Sequence, residues 1–128
     1  MPSTFGYPRE QLKSTMRAIS HELAGAGADA VVLEIADGIL QAETAWLLEH
    51  LSEVADAIVF AAVDSLSACH GVRILREHRL PVRAVTGLVT RSPLASREIQ
   101  MGVPVLSPAD LIAGGALGLL SRQQEVYV

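Results

Sequence analysis

The chain has 128 residues, half of them apolar, with one cysteine, 10 Lys or Arg, 14 Asp or Glu and a formal net charge of −4. This length suits one domain with its own hydrophobic core, while the acidic balance and the 4% aromatic content exclude nucleic-acid binding through a basic surface or a base-stacking platform. Because no apolar run reaches the roughly 18–20 residues that span a bilayer and no secretory signal is present, we expect a cytoplasmic protein with neither nucleic-acid nor membrane partners.

Helical and strand patterns alternate through the first half of the chain. Apolar spacing of three and four residues after Pro8 predicts a helix that closes at Gly25. The apolar run at residues 29–35 predicts a first strand, buried on both faces. Helical spacing returns at residues 40–51, and a β-branched run at residues 57–63 predicts a second strand.

The same alternation continues in the second half. Asp64 or Ser65 can cap a helix that runs to about residue 78, and residues 82–85 predict a third strand. Ser92, followed by a proline, predicts a helix that ends near residue 102. Residues 103–106 form a short fourth strand pattern, and Ser107 opens a capping box before a final helix.

This order of elements predicts the fold class. Strands that alternate with helices through short connections favour right-handed crossovers and a mostly parallel sheet. We therefore expect a Rossmann-like, three-layer α/β/α sandwich with about four strands. It would form a single α/β domain over residues 1–120, followed by a polar C-terminal tail at residues 121–128.

Two acidic residues close the first predicted strand. In open α/β sheets the ligand crevice lies outside the carboxyl ends of the strands, where Glu34 and Asp37 would stand. Carboxylates at such an end commonly hold Mg²⁺ and a phosphate ligand, so both residues are candidate metal ligands. The alternative is a solvent-facing acid and a turn former. The chain contains no G-x-x-x-x-G-K-[ST] loop to bind phosphates.

A second set of candidate residues lies at the ends of the other strands. Asp64 can contact a ligand or cap the helix that follows it. Thr86, Gly87 and Arg91 place a hydroxyl, a flexible backbone and a cation before a predicted helix N-terminus, which is typical of an anion site. A glycine turn followed by a capped helix explains the same residues structurally.

Three blocks of sequence resemble a known family. They are STFGYP at residues 3–8, LEIADGILQAETA at residues 33–45 and VTGLVTRSPLA at residues 85–95. These blocks resemble the C-terminal half of uncharacterised bacterial P-loop NTPase-like proteins, which are more distantly similar to dethiobiotin synthetase. In such proteins an upstream half supplies the first strand and the phosphate-binding loop.

The resemblance implies roles for particular residues. Glu34 would match the acid that helps to hold Mg²⁺, with Asp37 in the turn beside it. Thr86, Gly87 and Leu88 would lie where this superfamily contacts the nucleobase. Residues 3–4 would lie in a loop that approaches the substrate or changes with the nucleotide. Mg²⁺ and ATP are the implied cofactors, if another polypeptide supplies the phosphate loop.

The resemblance also implies a gap in the sheet, because the phosphate-loop strand normally lies between the first two strands predicted here. Those strands must pair directly, or leave apolar edges that invite pairing with another chain. We therefore expect a homo-oligomer or a partner chain at a sheet edge. The expected function is a non-catalytic binding or subunit protein derived from a P-loop NTPase, since without a Walker A motif the isolated chain should not be an active NTPase. The alternatives are half of a split Mg²⁺/ATP-dependent enzyme, and a truncated product without independent activity.

Overall fold

A computed structural model describes residues 4–121 of the chain. The chain divides into two compact units, Met1–Val54 and Ala55–Val128. The expectation of one domain over residues 1–120 stays a prediction. Of the predicted tail, Ser121 ends a helix, and residues 122–128 lie outside the described residues.

The first unit contains the two predicted helices, α1 (Arg9–Gly25) and α2 (Ala42–Leu51), which pack against each other. The sequence prediction of both helices is confirmed. α2 begins after Gln41, whose side chain accepts a hydrogen bond from the Thr44 backbone N–H and so caps the helix. The buried apolar residues of the unit are Met16, Leu47, Leu48 and Leu51.

The strand predicted at residues 29–35 does not form, and this prediction is wrong. Residues 30–36 have no regular secondary structure. A strand needs a neighbour that completes its backbone hydrogen bonds, and the described residues provide none for this segment.

The second unit is built on a strand–helix–strand arrangement. β1 (Ile58–Ala61) pairs in parallel with β2 (Val82–Thr86), and α3 (Ser65–Glu77) connects them and packs against both. Ile58 lies opposite Val82 at one end of the ladder and Ala61 lies opposite Thr86 at the other. The second and third predicted strands are thus confirmed, although β1 is shorter than predicted.

The predicted fold class is wrong. In the described part of the chain the only sheet has two strands, not about four, so the structure is not a three-layer α/β/α sandwich of the Rossmann or P-loop NTPase kind. Residues 103–106 contribute a single parallel bridge, from Val105 to Val85. Pro104 accepts a hydrogen bond from the Val85 N–H through its carbonyl, but it has no N–H of its own with which to extend a ladder.

The core of the second unit lies between α3 and the sheet. Val72 and Ala68 of α3 and Val85 of β2 are fully buried. They belong to an apolar cluster with Ala62, Val89 and Ile99, against which Phe60, Val82, Ala95, Met101, Val103 and Val105 pack. This burial supplies the main stabilisation of the unit, because apolar surface removed from water contributes about 25 cal/mol per Å².

Short helices complete the second unit. A 3-10 turn (Leu88–Arg91) leads into α4 (Pro93–Glu98), which the Ser92 side chain caps and which ends before the predicted residue 102. Ser107 and Asp110 form the predicted capping box at the start of α5 (Pro108–Asp110). Residues Leu111–Gly115 then join α5 to α6 (Ala116–Ser121) through a kink at Gly114, whose φ of 107° is not helical.

A Schellman motif ends α3. The Leu80 N–H donates to the Leu75 carbonyl at 3.0 Å, and the Arg79 N–H donates to the Arg76 carbonyl at 2.8 Å. Leu75 and Leu80, which occupy the two apolar positions of the motif, are both buried. The motif needs a left-handed residue before Leu80, and Arg79 adopts it with φ 57°.

Candidate functional site

The carboxyl ends of β1 and β2 approach each other closely at Gly87. This residue has a φ of 96°, and a Cβ placed on it would lie 2.6 Å from the Ala62 carbonyl oxygen and 2.9 Å from the Ala62 nitrogen. The turn that follows Gly87 is hydrogen-bonded to the same residue, because the Val89 N–H donates to the Ala62 carbonyl at 3.1 Å. Only glycine fits this approach of two backbones.

Thr86 retains unused hydrogen-bonding capacity at this point. Its Oγ1 is buried and has no hydrogen-bond partner among the described residues. By contrast, the nearby Thr90 hydroxyl donates to the Gly87 carbonyl at 2.8 Å. A buried hydroxyl without a partner costs about 1–3 kcal/mol, so a ligand that reached Thr86 would gain from completing its bond.

Asp64 acts as a helix cap in this structure. Its Oδ1 accepts from the Ser67 N–H at 2.7 Å, and its own N–H donates to Ser67 Oγ at 3.1 Å. The hydrogen bonds from the backbone and the hydroxyl of Ser67 outweigh a small desolvation effect and hold the pKa of Asp64 below its ordinary value. These contacts directly support the interpretation of Asp64 as a helix cap.

The remaining candidates at these strand ends are exposed. Leu88 is exposed and begins the 3-10 turn, and Arg91 is exposed at the end of that turn. Thr86, Gly87 and Leu88 thus follow β2 continuously, and Gly87 meets the end of β1 two residues before Asp64. The sequence correctly predicted that Thr86, Gly87 and Leu88 lie at the end of a strand, but it did not show which of the candidate side chains already have local hydrogen-bond partners.

The candidate metal ligands lie in the first unit. Glu34 is exposed within residues 30–36. Asp37 accepts two hydrogen bonds from Thr4, one from its N–H at 2.7 Å and one from its Oγ1 at 2.6 Å. Residues 4–121 contain no group of three or more His, Cys, Asp or Glu side chains arranged to hold a metal ion.

A hydrogen-bond network around Thr4 was not foreseen from the sequence. Thr4 Oγ1 lies 3.3 Å from Gln41 Oε1 and 3.3 Å from the hydroxyl of Thr44, which is fully buried. The Gly6 N–H donates to Glu43 Oε1 at 3.2 Å, so a second contact fixes the segment that precedes α1. Of the loop predicted by resemblance, Thr4 is held at the start of α2, and residue 3 lies outside the described residues.

A charged cluster joins α1 to the end of α2. Glu53 pairs with Arg17 and lies 3.4 Å from Lys13 Nζ. Some desolvation of Glu53 acts to raise its pKa, but the Lys13 hydrogen bond and the charges of Arg17 and Lys13 outweigh it and lower the pKa. His50 Nδ1 lies 3.0 Å from Lys13 Nζ and 3.4 Å from Glu53 Oε1. The Lys13 contact requires an unprotonated Nδ1 that accepts, whereas the Glu53 contact requires an Nδ1–H that donates. His50 Nδ1 can therefore form only one of these two hydrogen bonds at a time.

An open surface depression of about 700 Å³ lies beside this cluster. Its lining consists of Arg17, Ala18, Ser20, His21, Glu22, Glu53 and Val54. The Arg17–Glu53 ion pair already satisfies two of these charges. The arrangement therefore fits a solvated helix–helix contact better than a catalytic cleft, in which groups converge on an enclosed volume.

Comparisons with protein-family models, with curated proteins and with solved structures found no match to this chain. In the described part of the chain, no helix is both long enough and apolar enough to cross a bilayer.

Proposed function

We propose that this chain is a non-catalytic binding or subunit protein, derived from a P-loop NTPase, that is completed by self-association or by a partner chain. One observation carries the proposal. Among the described residues, the backbone N–H and C=O groups of residues 30–36 have no hydrogen-bond partner. An apolar segment whose backbone lacks partners is suited to pairing with another strand. A cytoplasmic location belongs to the same proposal.

The exposed side chains of the first unit support this proposal. Val32 is 93% exposed and Leu40 is 73% exposed, and Phe5 is also largely exposed. Single exposed apolar residues are ordinary on a monomer, but Val32 and its neighbour Leu33 are exposed within the segment whose backbone is unsatisfied, which is typical of an interaction segment. A chain that acts alone would leave this surface in water at a cost in solubility.

Native mass spectrometry of the full chain, with and without Mg²⁺ and ATP, tests the proposal. A defined oligomer that forms without nucleotide would support it. Two outcomes would contradict it. One is a strict monomer in which the amides of residues 30–36 are protected from hydrogen exchange, because the segment would then be satisfied within one chain. The other is Mg²⁺-dependent ATP turnover that Glu34→Ala abolishes, which would instead indicate half of a split enzyme.

A further inference from the structure

We propose that the partner is a second copy of this chain, and that residues 30–36 of each copy add a strand to the outer edge of β1 in the other. This inference rests on the proposed function and names the occupant of the exposed segment. Among the described residues, each chain carries both parts of the contact: an apolar segment whose backbone has no hydrogen-bond partner within the first unit, and a sheet edge with no strand beside it within the second. A reciprocal exchange completes both parts in both copies, whereas a foreign strand would complete only the edge.

The outer edge of β1 is open for such an addition. The Ile58 N–H donates to the Pro81 carbonyl and the Ala62 N–H donates to the Thr86 carbonyl, so these residues face β2. The intervening odd-numbered residues, Val59 and Ala61, therefore direct their backbone groups away from β2. Both are exposed, and the described sheet has no strand beyond them.

The opposite edge of the sheet is already occupied. Val85 of β2 bonds to Pro104 and to Leu106 and forms the bridge to Val105. An added strand in the described structure can therefore dock only on the β1 side without displacing existing hydrogen bonds. This restriction identifies one edge of the sheet for the contact.

Charge favours a contact between the first unit of one copy and the second unit of the other. Residues 4–54 contain three Lys or Arg and eight Asp or Glu, whereas residues 55–121 contain six and five. Two segments from the first units would repel each other, since both belong to strongly acidic units. The sheet-bearing unit is slightly cationic, so a segment that carries Glu34 and belongs to the acidic unit is better matched to it than to its own counterpart.

Two proline variants test the strand addition. In an edge strand, alternate residues direct their N–H groups toward the neighbouring strand and toward solvent. One of Val32→Pro and Leu33→Pro should therefore raise the dimer dissociation constant by about 100-fold, and the other should change it by less than about threefold. Neither variant loses a hydrogen bond in the single chain, because this backbone has no partner there. Ile112→Ser, which alters a side chain that is 87% exposed in the other unit, is the control and should leave the constant unchanged.

Residue-resolved hydrogen exchange of the dimer provides a second measurement. We expect slow exchange at alternate amides of residues 30–36 and at Val59 and Ala61, and fast exchange at the intervening amides of the segment. A dimer that responds equally to both proline variants, or that lacks this alternation, would overturn the inference and leave the proposed function standing. A chain that never self-associates would overturn the inference. It would overturn the proposed function as well only if the amides of residues 30–36 were also protected within the single chain.

Discussion

Gly71 of α3 and Phe60 of β1 leave no room between them for another carbon atom. A Cβ on Gly71 would lie 2.2 Å from both Cε1 and Cζ of the Phe60 ring. Glycine normally weakens a helix interior by roughly 0.5–1 kcal/mol relative to alanine. Its presence here is explained by the close packing of the helix on the strand.

Gly71→Ala should therefore destabilise the protein despite the better helix propensity of alanine. Overpacking costs about 1–3 kcal/mol, of which helix propensity returns less than 1, so we expect a net loss of about 1 kcal/mol in urea unfolding. The double variant Gly71→Ala with Phe60→Leu should recover part of this loss, because the shorter side chain vacates the space. Strictly additive effects of the two substitutions would contradict the packing explanation.

Gly87→Ala should be more harmful than Gly71→Ala. At this position the neighbouring atoms belong to the backbone of Ala62, which cannot turn aside as a ring can, and φ is 96°. We expect a loss of roughly 2 kcal/mol or more. Gly102→Ala is the matched control, since Gly102 also has a positive φ of 66° but open space around it. Its smaller loss in the same unfolding assay would measure the backbone strain alone, and equal losses would show that the contact with Ala62 is unimportant.

Arg79→Gly should stabilise the protein. Arg79 occupies the left-handed position of the Schellman motif, where a side chain costs about 1–2 kcal/mol and glycine is preferred. Part of that gain is offset by the greater entropy of glycine in the unfolded chain, so we expect a net gain of about 0.5–1 kcal/mol. Thermal unfolding measures it. Arg73→Gly, in the helix interior, is the control and should lower stability.

The cap of α3 should make stability depend on pH. Because folding lowers the pKa of Asp64 from its ordinary value of 3.8, the cap stabilises the protein above that value and loses its effect as the pH falls through the folded-state pKa. Asp64→Asn keeps an acceptor oxygen but cannot titrate. Its thermal midpoint should therefore fall less steeply than that of the wild type below about pH 4. Parallel curves for the two proteins would show that other carboxylates control acid unfolding.

The predictions that succeeded depend on local rules. Asp64, which the sequence offers together with Ser65 as a cap, and Ser107, which opens a predicted capping box, both cap their helices, and α1 follows from helical apolar spacing. The location of Thr86 and Gly87 at a strand end followed directly from the prediction of β2. Such features are visible in a window of a few residues.

The predictions that failed depend on distant parts of the chain. An apolar run such as residues 29–35 has the composition of a buried strand, but it becomes one only if a neighbouring strand is present. Thr4 and Asp37 are separated by 33 positions, and no local pattern indicates that they bond. Arg79 was missed for a different reason, since its left-handed conformation is usually signalled by glycine.

The exposed carboxylate of Glu34 affects how readily newly synthesised copies of the chain aggregate. Residues 30–36 are synthesised before either strand of the sheet, and an uninterrupted apolar run at that stage would promote aggregation. In a parallel stack of identical strands, the carboxylates of successive copies would lie only about 4.7–4.9 Å apart and would repel each other. A carboxylate at this position would therefore disfavour open-ended fibrils. The proposed closed pair would escape this repulsion, because its two Glu34 carboxylates would belong to separate strands that are not stacked.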